Sequence, residues 1–242
     1  TAITRGWDIS YPLLRSQLKN INLALSYDNK QFDNTSNNVT TSYGIKAYNA
    51  TLSANQIDDW ASGGSTTASA GLTAGDKSTE HRYTKINLNL SRLQSLTTDL
   101  SLFVAANAQA ANKNLDSSEK MYLGGANGVR AYPASEAGGS EGNTFTLELR
   151  QRLDHNITLT GFYDYGMVKV NHNNNVASPA NPNSYNLQGY GVSLAWQATQ
   201  GIDIKATLAQ RLGNNSAAQA NGTDADGTKK VTRIWLNTGI AF

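Results

Sequence analysis

The chain has 242 residues, a formal net charge of +2, 16% charged residues and no cysteine. That length allows one β-barrel or two ordinary globular domains, and the charge content is far below the roughly 25% of a soluble domain. The small net charge gives no basis for nucleic-acid binding, and no run approaches the ~18 consecutive apolar residues that a membrane helix needs.

Mean hydropathy is −0.46, a value compatible with a membrane barrel, because half of each barrel strand faces a polar lumen. Eleven Tyr and four Trp suit an interfacial aromatic girdle. The absence of Cys fits a compartment where a stray thiol would be oxidised.

Period-two alternation runs through most of the chain. A first, partial strand ends near Tyr11-Pro12, and strands follow at 20–30 and, more faintly, 43–52. Segment 59–73 is rich in Ser, Gly and Ala; it is assigned as a strand because its neighbours need a partner. Strands at 82–92 and 99–110 come next, the second setting Leu100, Leu102, Val104, Ala106 and Ala108 against Ser101, Asn107 and Gln109. In 143–153, Phe145, Leu147, Leu149 and Leu153 alternate with Thr146, Glu148, Arg150 and Arg152. The clearest strand is 156–171, where Ile157, Leu159, Gly161, Tyr163, Tyr165 and Met167 oppose Thr158, Thr160, Phe162, Asp164 and Gly166. Strands at 185–196, 202–212 and 229–242 complete the series.

Connections alternate in length. Residues 153–156 and 198–201 are tight turns, whereas 171–183, 213–227 and 111–142 are long polar loops, with turn formers such as Asn127-Gly128 and Asp226-Gly227. Short turns on one side and long loops on the other is the layout of a transmembrane barrel with its short side periplasmic. The fold class is therefore all-β, a transmembrane antiparallel β-barrel, with 171–183 and 213–227 at the cell surface. About eleven strands are counted. A closed bacterial barrel needs an even number, so the chain is expected to be the C-terminal part of a larger one.

Two motifs stand in order on the right elements. Leu123-Gly124-Gly125 leads into Val129-Arg130-Ala131-Tyr132-Pro133, followed by Glu136, Glu141-Gly142 and a strand with Leu147-Glu148-Leu149-Arg150. The next strand carries Phe162-Tyr163-Asp164-Tyr165-Gly166, and upstream lies Tyr11-Pro12-Leu13-Leu14-Arg15-Ser16. This set resembles the haemolysin secretion/activation family, the outer-membrane transporters of two-partner secretion. The resemblance implies a 16-stranded barrel whose first strands and two N-terminal POTRA domains precede this sequence. It also implies that loop 111–142 folds into the lumen, with Arg130 at its tip meeting Asp164 on the wall. The family's third tip residue is Gly where this chain has Ala131. If that position needs φ > 0, Ala strains the tip by about 1 kcal/mol.

The residue pattern agrees from its own side. Asp164 shares parity with Thr158 and Thr160 and so faces the lumen, where a carboxylate is tolerated. An Arg binds it through a bidentate fork that Lys lacks. In a partly wet lumen the pair is expected to contribute about 1–3 kcal/mol. Taken singly, Arg130 reads as a solvent-facing loop arginine and Asp164 as a plain lumen charge; the paired motifs make them partners. Glu148, Arg150 and Arg152 read as a lumen network bracing the loop rather than as a catalytic cluster.

No enzyme, cofactor or metal is expected. His81, His155 and His172 lack ligand spacing, and Gly124-Gly125 with Gly128 lacks the Lys-Ser/Thr of a phosphate loop. Phe242, after alternating Ile234, Leu236 and Ile240, resembles a barrel-assembly recognition signal. The expected partners are a secreted exoprotein of haemolysin or adhesin type, bound through its N-terminal secretion domain, the lipid of the bacterial outer membrane, and the barrel-assembly machinery. The alternatives are a barrel-assembly insertase, which shares both motifs, a passive porin, and an outer-membrane phospholipase, which would need a Ser/His pair on its outer wall.

Overall fold

The computed structural model describes residues 1–36, 39–79, 81–174, 182–198 and 201–240. Phe242, part of the 171–183 loop and part of the 198–201 turn lie outside them. Among the described residues the strands are β1 (Ala2–Arg15), β2 (Lys19–Ser36), β3 (Val39–Asp58), β4 (Gly64–Lys77), β5 (His81–Ser95), β6 (Leu100–Ala111), β7 (Met121–Tyr122), β8 (Gly138–Gly139), β9 (Glu141–Asp154), β10 (Ile157–Lys169), β11 (Ser184–Ala198), β12 (Ile202–Leu212) and β13 (Thr232–Ile240). Eleven of them form one antiparallel sheet. Each pairs with the next in sequence, and β6 pairs with β9 across the long loop. The short β7 and β8 pair with each other inside that loop.

Alternation dictates two unlike faces. One carries Leu52, Leu72, Ile86, Leu88, Leu90, Leu147, Leu149, Val192, Leu194 and Leu208, all exposed, as a lipid-facing band requires. The other face carries Asp164, Glu148, Thr160, Ser193 and Thr207, all buried. The sheet is strongly curled, because single loop residues reach strands far apart in its order. Arg130 touches β9, β10 and β13, and Glu119 touches β2 and β5.

The concave face has two sectors. Along β9–β12 it is covered by the loop: Leu123, Val129, Ala131, Tyr132 and Ala137 bury themselves against Phe162, Val168, Leu187 and Ala209. Along β2–β6 the mid-wall is a ladder of amides and hydroxyls. Thr73 donates to Asn49 (3.1 Å), Asn49 to Thr51 (3.0 Å) and Asn89 to Ser69 (2.9 Å), and further along Asn107 donates to Thr144 of β9 (3.0 Å).

The structure departs from the sequence reading in two places. The strand expected at 59–73 begins only at Gly64, because residues 60–62 form a 3-10 turn with Ala61 and Ser62 at φ 47° and 77°. That turn is held from β5: Gln94 donates to the carbonyls of Trp60, Ala61 and Gly63. Arg92 forks onto Asp58 and lies over the Trp60 ring. The second departure lies within the polar segment between β12 and β13. Most of it is exposed, as expected of a surface loop, but it is pinned rather than free: Asp224 is 1% exposed and Asn215 and Ala225 bond to Glu136 of the long loop.

Candidate functional site

The site is where the loop tip meets the wall. β10 aims Phe162, Asp164 and Gly166 at the concave face by alternation, and the register Asp164↔Thr146 and Phe162↔Glu148 sets the β9 residues beside them. Arg130 grips Asp164 in a fork, Nε to Oδ2 at 2.8 Å and Nη2 to Oδ1 at 2.7 Å. Its backbone N–H adds a third bond to Oδ2 at 3.1 Å, and the Thr146 hydroxyl donates to Oδ1 at 3.1 Å. The remaining guanidinium nitrogen, Nη1, reaches Glu148 Oε1 at 2.6 Å. Below, the guanidinium lies 3.5 Å from the Phe162 ring centre, where a cation over an aromatic face gains further attraction.

Glu148 then connects outward, its other oxygen meeting Arg150 Nη2 at 2.6 Å, and Arg150 packs over Phe103 of β6. The expected network thus includes Glu148 and Arg150, while Arg152 is exposed at the strand end. The Arg130 and Asp164 side chains are only 6% and 1% exposed. The site is drier than the lumen expected from sequence, which raises the cost of removing one partner alone.

Each residue around the pair has a packing reason. Gly166 admits the loop, since a Cβ there would lie 3.0 Å from Val129 and 3.1 Å from Leu123. Tyr132 is fully buried, its ring under Arg211 of β12. Ala131 is not among the left-handed residues; those of the loop are Gly125, Ser135 and Ala137. The strain that Ala131 threatened is therefore absent. Its methyl instead presses on β11 at Gly189, where an added Cβ would come within 2.5 Å of it. Position 189 is small because 131 is not.

Sequence reasoning missed two sets of supports. Trp235 of β13 donates its indole N–H to the Arg130 carbonyl at 2.8 Å. In the β12–β13 segment, Asp224 joins Arg211 and Arg233 at 2.5 and 2.8 Å, and Asn215 ties that hub to Glu136. Burial alone would raise the Asp224 carboxyl, but bonds from Asn215, Arg211 and Arg233 hold it below the usual carboxylate range. The readable signal was Arg211, Trp235 and Arg233 sharing the concave parity with Asp164. The third histidine, His172, bonds to Glu141, which also takes Lys169.

Comparison with known proteins decides the family. Residues 2–196 match the model of the haemolysin secretion/activation proteins ShlB/FhaC/HecB. The chain belongs to that family. Its strands are those of an outer-membrane β-barrel of bacteria. The family segment contains both motifs, from the Val129–Tyr132 tip to Gly166. Two similar proteins are the heme/hemopexin transporter proteins HuxB of two Haemophilus influenzae strains, each 32% identical over 140 residues, or 56% of this chain. The matched segment covers 25% of either relative. Among solved structures, CdiB from Escherichia coli superposes with a TM-score of 0.80 at 16% identity, over all of this chain and 45% of that one. BamA from Haemophilus ducreyi lacking POTRA domains 1–3 gives 0.54 at 12% identity, over 98% of this chain and 62% of that one. At these identities the two likenesses speak for the fold alone.

Proposed function

We propose that this chain is the C-terminal part of a two-partner secretion pore that passes an unfolded exoprotein across the outer membrane, without catalysing a reaction. The observation that carries the reading is the docking of Arg130 on Asp164 and Glu148 inside the curled sheet. A loop fixed within the bore by a buried fork has two discrete states, docked and released, as a pore that opens only for its cargo requires. Loop 111–142 is the inward element in this reading, and Phe242 belongs to the assembly signal.

Among the described residues the outer edges of β1 and β13 have no partner strand, which supports closure by further strands, because unpaired edge N–H and C=O groups are costly in lipid. The upstream strands and POTRA domains supply that closure and the periplasmic capture of the cargo. The partners are then the exoprotein, through its N-terminal secretion domain, the outer-membrane lipid and the barrel-assembly machinery. The name of the similar HuxB proteins makes a heme- or hemopexin-binding exoprotein the first cargo to test. An insertase role has only the fold likeness to BamA behind it, and the family match favours secretion.

The test is export of the neighbouring exoprotein by cells carrying wild-type or Arg130→Ala chains, normalised to folded barrel. Strong loss of export with normal assembly is expected. Normal export by Arg130→Ala overturns the reading.

A further inference from the structure

The first limb of the long loop holds a second charge cluster, remote from the Arg130 site. Glu119 is 4% exposed and its two oxygens meet Lys30 of β2 at 2.7 Å and Lys85 of β5 at 2.8 Å. Lys85 also donates to the Glu119 carbonyl at 3.1 Å, and Gln109 of β6 donates to the same carbonyl at 3.3 Å. One turn earlier Asp116 meets Lys77 of β4 at 3.2 Å. Just before Asp116, Leu115 packs with Ile45, Tyr83 and Ala111.

The three lysines lie on three strands, share the concave parity and converge on one four-residue stretch of loop. Burial alone would raise the Glu119 carboxyl, yet Lys30 and Lys85 hold it below its ordinary value. The polarity is the reverse of the tip: there the loop brings the cation and the wall the carboxylates. In the sheet, β2 and β10 are separated by β3, β4, β5, β6 and β9. The loop is thus tied at two distant sectors of wall.

The two ties differ in kind. Arg130 is a planar fork, whereas lysines are single-point, well-hydrated donors, and their side chains are 13–21% exposed against 6% for Arg130. Exchange with water is easier at the lysine end. We propose that Glu119, assisted by Asp116, is a second positioning residue: clasped by Lys30, Lys77 and Lys85, it lays the first limb over the β2–β5 wall. The limb releases there while the Arg130 tip stays docked. This rests on the loop lying in the pore, as proposed above, but not on export itself.

The wall beneath reports the release. Asn87 shares with Glu119 a polar cavity of about 320 Å³, and its side-chain oxygen is buried. In the gene-encoded protein expressed in outer membrane, with any cysteine outside these 242 residues replaced by Ser, Asn87→Cys is labelled with a bulky hydrophilic maleimide. Glu119→Gln, and separately the Lys30→Gln/Lys85→Gln double variant, should each raise the labelling rate about tenfold. Channel conductance in planar bilayers should rise as well, with heat-modifiable folding intact and Asn237→Cys on β13 labelling as before. The double variant decides if Glu119→Gln fails to assemble. Unchanged Asn87→Cys labelling overturns the second anchor. A wild type that exports no partner sinks the secretion reading and leaves the labelling result standing.

Discussion

Trp235 of β13 donates its indole N–H to the Arg130 carbonyl oxygen at 2.8 Å, so the tip is held by its main chain as well as by its guanidinium. The two strands involved on the wall, β10 and β13, are three places apart in the sheet. Trp235→Phe keeps most of the ring and removes the donor, leaving a buried carbonyl unpaired at a cost of about 1–3 kcal/mol. We expect faster maleimide labelling of Ala126→Cys, which is half-buried near the tip. Labelling equal to wild type would show that the bond contributes nothing to docking.

The Arg130–Asp164 fork is a coupled unit. Because it is buried, removing one partner strands a charge, at about 3–5 kcal/mol, above the 1–3 kcal/mol expected for a partly wet lumen. Arg130→Ala and Asp164→Ala should each cut export about tenfold or more, and the double variant should be little worse than either single. Arg130→Lys should also fail, since one ammonium cannot serve Asp164 and Glu148 with the fork's geometry. Exoprotein in the medium, normalised to folded barrel, is the measurement; additive losses in the double variant contradict the coupling.

The Ala131–Gly189 contact predicts a one-sided tolerance. Gly189→Ala places two methyls 2.5 Å apart and should destabilise docking by about 1–3 kcal/mol. Ala131→Gly should be mild by itself and should rescue Gly189→Ala in the double variant. Export assays of the three chains test this; a double variant as poor as Gly189→Ala would mean the clash lies elsewhere.

The segment between β12 and β13 should respond to acid. Arg233 holds the Asp226 carboxyl well below the usual carboxylate range, and Asp224 is lowered too. A depressed folded value means the stabilisation is whole above about pH 5 and fades as pH falls through the folded pKa. Proteolysis of this segment in outer-membrane vesicles should therefore stay slow down to about pH 4 and accelerate below. In Arg233→Gln it should already be fast near neutrality. A wild-type profile independent of pH would contradict the hub.

The strands were legible because a two-faced sheet forces period two on side chains. Val104 to Ala108, or Leu159 to Met167, can be read without any partner. The pair Arg130–Asp164 was legible through motif order and the parity of Asp164. What stayed hidden depends on contacts between distant segments of ordinary polar composition. Gln94 holding the Trp60 turn, Asn215 meeting Glu136 and Lys85 meeting Glu119 leave no local trace, since an Asn, Lys or Glu in a loop looks the same solvated or clasped. The strand assigned at 59–73 started too early for this reason: Gln94, some thirty residues away, stabilises the turn that delays it to Gly64.

The amide and hydroxyl ladder on β2–β5 has a consequence for motion along it. Asn49, Thr51, Ser69, Thr73 and Asn89 offer hydrogen bonds that water replaces at little net cost, and no fixed charge or greasy patch among them. In the proposed pore a chain sliding along these five residues would find no ion partner and no apolar pocket among them. Lys30 and Lys85 lie beside the ladder, however, and are neutralised only while Glu119 is seated on them, and Lys77 meets Asp116 there. Such a wall is lubricated while the first limb lies on it; with the limb lifted, the bared lysines would slow acidic stretches more than others.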